Sequence, residues 1–201
     1  MLAYLSWHRP ASAAQRDAYE QALKRFHASL AHQPPSGFRG SASFRADELP
    51  WRGRQDVADD PDDGGAGYED WYLVEDWAAL GVLEEAAVAR GHTSAHEHVA
   101  ALAGEATGAV YRLVEGHANL HEARVAAWVV PARGLGRRGR PSLEALLGDG
   151  MDPNTGALWR RCLGLGLAPE YCLLAPEVPA GIAHSRLPAG WVATVTAREP
   201  L

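Results

Sequence analysis

Lysine is almost missing from this chain: Lys24 is the only one in 201 residues. Without others there is no Walker-type phosphate loop, and Lys24, beside Glu20 on the charged side of an expected helix, is poorly placed for Schiff-base chemistry. Basic charge as a whole is in deficit, with a formal net charge of -6 at pH 7. That argues against nucleic acid or anionic lipid as the main partner. Cysteine is scarce too. Cys162 and Cys172 lie in the apolar segments LWRRCLGLGL and EYCLLAP, where buried reduced thiols are expected in preference to a disulfide or a metal pair. No apolar run is long enough to span a bilayer, and MLAYLSWHRP has neither the basic region nor the cleavage site of a signal peptide. The expectation is a cytoplasmic protein with no membrane partner.

What the chain does have is concentrated in Tyr68 to Val88, YEDWYLVEDWAALGVLEEAAV. Alternation sets Trp71 and Leu73 on one face of a strand and Tyr68, Asp70, Tyr72 and Val74 on the other. Asp76 then stops the strand, and its carboxylate is positioned to cap a helix whose stripe is Trp77, Leu80, Leu83 and Ala87.

Earlier, Leu2 to His8 reads as a strand with Ala3, Leu5 and Trp7 opposite Tyr4, Ser6 and His8. Ser12 and Gln15 have the spacing of a capping box, and Tyr19, Ala22, Leu23, Phe26 and Leu30 form the stripe of a long helix. Gly37 to Arg45 alternates again as a second strand. The segment RGRQDVADDPDDGGAG is expected to be a mobile loop, and its acids fail the EF-hand spacing. A short helix in the stretch beginning RGHTSAHEHVA and a strand over Ala109 to Glu115 complete the order strand, helix, strand, strand, helix, strand. Downstream, strands are expected at Arg124 to Val130, Glu170 to Ala175 and Trp191 to Ala197, with helices at Ser142 to Leu147 and Leu158 to Leu163. This predicts an α+β chain of two ferredoxin-like halves, βαββαβ over 1–116 and a truncated second unit over 117–201.

That order, with the strand-to-helix passage around Trp71 and Trp77, resembles the dimeric α/β-barrel superfamily, which includes antibiotic biosynthesis monooxygenase-like and EthD-like proteins. The resemblance covers most of residues 2 to 115 and rests on architecture. It implies an intramolecular version of the dimeric barrel enclosing a pocket. Members include cofactor-free oxygenases, isomerases, haem proteins and proteins without known activity, so fold by analogy sets only a prior on function.

If Ala3, Leu5, Trp7, Phe38, Phe44, Trp71 and Leu73 pack under the helices, the opposite face presents Tyr4, Ser6, His8, Arg39, Ser41, Ser43, Arg45, Asp70 and Tyr72. Covered by the second half, this face would line a pocket for a small molecule. There His8 is the expected base, oriented by Asp70 with Tyr72 beside it, while Arg39 or Arg45 holds a carboxylate or enolate oxygen. Tyr4, Ser6, Ser41 and Trp51 complete the expected ligand-binding set. The function so expected is that of a small-molecule enzyme or binding protein using proton abstraction without a cofactor. A non-catalytic interaction protein and a haem-binding protein are the alternatives, the last with His8, His27 or His96 on iron. His92, His96, His98, His117 and His121 lack persuasive metal spacing, so no metal site is expected. Gly134, Gly136 and Gly139 match G-x-G-x-x-G, but Pro131 and Pro141 spoil the context for a dinucleotide loop. The assembly expected is a monomer or homodimer.

Overall fold

The computed structural model describes residues 1–46, 67–132, 140–148, 152–166, 168–184 and 187–201. Trp51, the acidic loop and the glycines of the G-x-G-x-x-G match lie outside the described residues. Eight strands form one closed antiparallel barrel: β1 (Leu2–Pro10), β2 (Phe38–Ala46), β3 (Gly67–Val74), β4 (Ala103–Gly116), β5 (Val125–Pro131), β6 (Ala157–Gly164), β7 (Tyr171–Ala175) and β8 (Trp191–Pro200). Around the barrel the order is β1-β3-β2-β8-β5-β7-β6-β4. The first four strands therefore run 4-1-3-2, and the last four repeat that permutation as 8-5-7-6.

Among the described residues five α-helices are attached: α1 (Arg16–His32), α2 (Trp77–Val88), α3 (Thr93–Leu102), α4 (Leu143–Leu147) and α5 (Ala180–Ala183). Tyr19, Ala22, Leu23, Phe26 and Leu30 are all buried along α1, as their spacing predicts. Its start differs from the capping box: residues Ala13–Gln15 form a turn of 3₁₀ helix, and the Ser12 side chain makes no capping bond. Asp76 does cap α2, accepting from the Ala79 amide at 3.0 Å. Trp77 leaves the expected stripe and is 46% exposed, its place in the core taken by Ala79. Among the described residues no helix is long and apolar enough to cross a membrane.

Residues Leu158 to Leu163, expected as a helix, belong to β6. Ala157, Leu158 and Trp159 are buried together while Cys162, Leu163 and Gly164 run out to solvent. A short run of this kind fits either period, and pairing with β4 and β7 decides it. The strand expected at Trp191 to Ala197 is β8, and α5 is a short helix before it that the sequence reading did not include.

The layering is opposite to the expected one. Ala3, Leu5, Trp7, Phe44, Trp71 and Leu73 point into the barrel, where they meet Trp128, Trp159, Cys172 and Leu174 of the other strands. Trp7 packs edge-on to Trp128 at 5.6 Å, and Trp71 to Trp159 at 5.7 Å. Bulky side chains from both sets of strands need one shared interior, and barrel closure provides it. Phe38 is the exception, because the β2 register shifts between Phe38 and Gly40, where φ is +147°. The shift moves Phe38 to the helical side, against Leu30, Val74 and Leu83.

The two seams joining the strand sets differ. β4 and β6 pair from Ala109↔Gly164 to Gly116↔Ala157, whereas among the described residues β2 and β8 share Phe44↔Pro200, Arg45↔Glu199 and Ala46↔Arg198. An ion pair inside the barrel supports the short seam. Arg198 of β8 donates to Glu69 of β3 and to the Ala123 carbonyl at 3.1 Å, and its guanidinium lies 3.5 Å over the Phe44 ring.

Candidate active site

The polar face of the first four strands lies under α1, α2 and α3 rather than under the second half. Strand register builds it in rows. Tyr4 opposes Tyr72, Ser6 opposes Asp70 and His8 opposes Tyr68, while Ser41, Ser43 and Arg45 of β2 follow on the far side of β3. On the other flank β4 sets Val110, Gly108 and Ala106 against Tyr4, Ser6 and His8. The small residues there leave room above the sheet. A cavity of about 560 Å³ opens between this face and the helices. Tyr4, Ser6, His8, Asp70 and Tyr72 floor it, and Phe26, Leu83, Ala87, His96 and Val99 form its helical wall.

Asp70 is the centre of the site and is 2% exposed. Its Oδ2 accepts from the Tyr72 hydroxyl at 2.9 Å, with His8 Nε2 at 3.2 Å and His27 Nε2 at 3.3 Å. The far nitrogens of both imidazoles are engaged as well: His8 Nδ1 lies 2.7 Å from the Tyr19 hydroxyl, and His27 Nδ1 lies 2.7 Å from Ser41 Oγ. Oδ1 of Asp70 has no hydrogen-bond partner. Asp70 lies on the floor of the cavity, while that oxygen is itself shielded from solvent.

Burial alone would raise the Asp70 carboxyl, but the charges and hydrogen bonds of His8 and His27 outweigh it and hold the group well below the usual carboxylate range. Burial first, and then the Asp70 charge, pushes the Tyr19 and Tyr72 phenols up. Both therefore stay protonated and remain donors. Tyr72 is further fixed by stacking, on His27 at 5.2 Å and on Tyr4 at 6.0 Å.

Of the residues expected from sequence, Tyr4, Ser6, His8, Asp70 and Tyr72 come together in the cavity. Ser41 reaches it only through His27. The two arginines lie elsewhere. Arg39 is exposed and pairs with Glu75, while Arg45 holds Glu20 through two bonds of 2.7 and 2.6 Å and reaches Glu199 at 3.1 Å. Neither lines the cavity. Tyr19 was read as part of the apolar stripe of α1, and His27 as a candidate iron ligand. Their signal was present in the spacing, since both fall on the stripe that faces the sheet, but polar partners opposite them required the strand register.

His8 and His27 have both ring nitrogens turned to protein groups, which leaves His96 as the one imidazole on the cavity wall without such engagement in the network. Among the described residues no group of three or more His, Cys, Asp or Glu side chains converges on a metal-sized site. His92 serves the helical layer, meeting Ser29 Oγ and the Gln33 carbonyl at 3.0 Å each.

No family model matches the chain, and no curated protein matches it. Solved structures do. A protein from Lactobacillus acidophilus named as a candidate monooxygenase and an anthrone oxidase-like protein each align over 100% of this chain and 98% and 91% of their own, with TM-scores of 0.48 at 8% and 9% identity. A candidate monooxygenase from Fusobacterium nucleatum aligns over 100% of this chain and 92% of its own, with a TM-score of 0.59 at 8% identity. At that identity the likeness to the Fusobacterium nucleatum structure is one of fold alone, and the chemistry has to be argued from the cavity.

Proposed function

We propose that this protein is a small-molecule enzyme or binding protein whose ligand occupies the cavity between α1, α2, α3 and the polar face of the first sheet. One observation carries it: Asp70, fully buried and flanked by two imidazoles, lies on the floor of a largely apolar cavity. The chain is read here as two ferredoxin-like units, 1–116 and 117–201, fused into one barrel. The cavity belongs to the first. In the second, Leu143, Leu146, Leu147, Tyr171 and Trp191 fill the corresponding layer between short helices and sheet.

Cofactor-free oxygenase or isomerase chemistry would start by taking a proton from the ligand. In this site the acceptor is the Asp70 carboxylate, and His8 is a positioning residue, because its Nε2 faces Asp70 and its Nδ1 faces the Tyr19 hydroxyl. The depressed Asp70 pKa favours holding a donor over removing its proton, so binding is the primary role and proton transfer follows from it. A filled, non-catalytic interface would leave no such void.

Titration of the full chain with 1-methylnaphthalene, followed by the fluorescence of the naphthalene, tests the cavity. The expected result is saturable binding that Leu83→Trp abolishes, since the indole would occupy the space. Equal binding by wild type and Leu83→Trp, or none by wild type, would overturn the assignment.

A further inference from the structure

On the floor of the cavity the polar groups are matched within the protein. The Asp70 carboxylate is met by His8 at 3.2 Å and His27 at 3.3 Å, and Asp70 Oδ1 and the Nε2 atoms of both imidazoles are shielded from solvent. Tyr19 is held on His8, and Ser6 bonds to Tyr4. The helical wall differs. His96 of α3 is half-buried and lines the cavity, and among the described residues no hydrogen bond or ion pair engages its ring nitrogens. Nor are those nitrogens shielded as the floor atoms are. The ring is nonetheless held in place. The His96 amide donates to the His92 carbonyl at 3.0 Å within α3, and Phe26 of α1 packs against the imidazole at 5.6 Å. A positioned polar group on a rigid element of an otherwise apolar wall orients a ligand.

Charge narrows the class of that ligand. Among the described lining residues there is no arginine or lysine, and the one carboxylate inside, Asp70, is compensated by the two imidazoles beside it. Glu84, on α2, stands exposed at the mouth. A carboxylate or phosphate would lose its hydration without a fixed cationic partner, and an ammonium would find no unshielded carboxylate within. A neutral imidazole carries one donor and one acceptor, which suits a hydroxyl group in either direction. Leu83, Ala87, Val99 and the stacked Tyr4 and Tyr72 supply surface for a hydrocarbon body.

We infer that His96 is the polar residue that contacts the ligand, and that the ligand is an uncharged hydrocarbon bearing a hydroxyl group, hydrogen-bonded to the imidazole with its body along Tyr4, Tyr72 and Leu83. This rests on the cavity assigned above and adds the contact and the class of ligand. No covalent bond forms or breaks in it. The hydrogen bond completes an imidazole that the protein leaves without a partner.

Four probes of similar size, titrated into the full chain at pH 7 by their own fluorescence, separate the possibilities: 1-naphthalenemethanol, 1-methylnaphthalene, 1-naphthoate and 1-naphthylmethylamine. The alcohol is expected to bind about tenfold more tightly than the naphthoate or the amine, whose charges would be left unmatched. His96→Leu should weaken the alcohol relative to the hydrocarbon by about three- to tenfold, the net worth of one hydrogen bond. His98→Leu, on the same helix but outside the cavity, should leave that ratio unchanged. If His96→Leu fails to fold, His96→Phe gives the same comparison, and the order of the probes on wild type stands independently. An unchanged ratio would overturn the contact, and naphthoate or the amine binding as tightly as the alcohol would overturn the class, both leaving the cavity standing. Failure of all four to bind would overturn the cavity as well.

Discussion

Removing Arg198 from the barrel interior is expected to be among the most damaging single changes outside the cavity. Arg198→Met keeps an unbranched chain of comparable length over Phe44 but withdraws the positive charge from Glu69, which is fully buried, and the donor from the Ala123 carbonyl. Trp71 Nε1, at 3.3 Å, would be the donor left to Glu69 among the bonds identified. Breaking a buried pair by removing one partner costs about 3–5 kcal/mol, because the surviving charge is stranded in a medium of low dielectric. For a chain of this size about 1 kcal/mol moves Tm by roughly 2–4 °C, so a fall of about 6–20 °C is expected. Position adds to the effect. Arg198 belongs to the seam where β2 and β8 share three paired positions, so loss there releases the weaker closure of the barrel. The comparison that isolates the charge is Glu69→Met/Arg198→Met, which should recover most of the loss, since a buried pair replaced by apolar side chains is often neutral or stabilising. Thermal unfolding followed by circular dichroism measures both. A single variant within about 1 kcal/mol of wild type, or a double variant no better than the single one, would refute the stranded-charge explanation.

Three further outcomes are expected. Because the folded-state pKa of Asp70 lies below its unfolded value, its contribution to stability is fully present above the ordinary carboxyl pKa of about 3.9 and is lost as pH falls below it. Asp70→Asn should flatten that acid limb in denaturant titrations from pH 6 to pH 2, and an unchanged limb would count against the network. Gly108→Ala sets a Cβ at 3.0 Å from both the Leu5 carbonyl and the Tyr4 ring, so it should shift Tyr4, cost about 1–3 kcal/mol and weaken binding of 1-methylnaphthalene. Affinity equal to wild type would show that Tyr4 does not shape the cavity. Residues 1–116 expressed alone should be insoluble or self-associate, because Trp7, Trp71 and Tyr111, fully buried in the whole chain, would face water. A monomeric fragment that unfolds cooperatively would show that the halves are independent.

Local periodicity was enough for much of the first half. Two-residue alternation in Leu2 to His8 and Tyr68 to Val74, and the stripe from Tyr19 to Leu30, follow from side-chain spacing along the chain, so β1, β3 and α1 were legible as elements. The grouping of Tyr4, Ser6, His8, Asp70 and Tyr72 on one face was legible for the same reason. What alternation cannot express is which face meets which layer. A strand with large apolar residues on one side and polar ones on the other packs equally well, by period alone, with its apolar side toward helices or toward a second sheet. Closure of eight strands decided this by giving the tryptophans of both halves a common interior, and the polar face was left to α1, α2 and α3.

The same limit explains the residues that were misplaced. Ser41 was placed on the cavity face by its parity, but its contact with the site runs through His27, which is on another element. Arg39 and Arg45 share the parity of the site residues, yet partners far away in sequence, Glu75, Glu20 and Glu199, fix where their charges go. Glu69 and Arg198, the most deeply buried ion pair among the described residues, are 129 positions apart and carry no local signal. In the second half the strand β6 was mistaken for a helix because eight residues bounded by glycines suit either period, and hydrogen bonding to β4 and β7 selected one. Sequence by itself determined the elements and the side each residue takes on them. The meeting of Asp70 with His8, His27, Tyr19 and Tyr72 was decided by the tertiary structure, because it depends on distances between elements that no local pattern encodes.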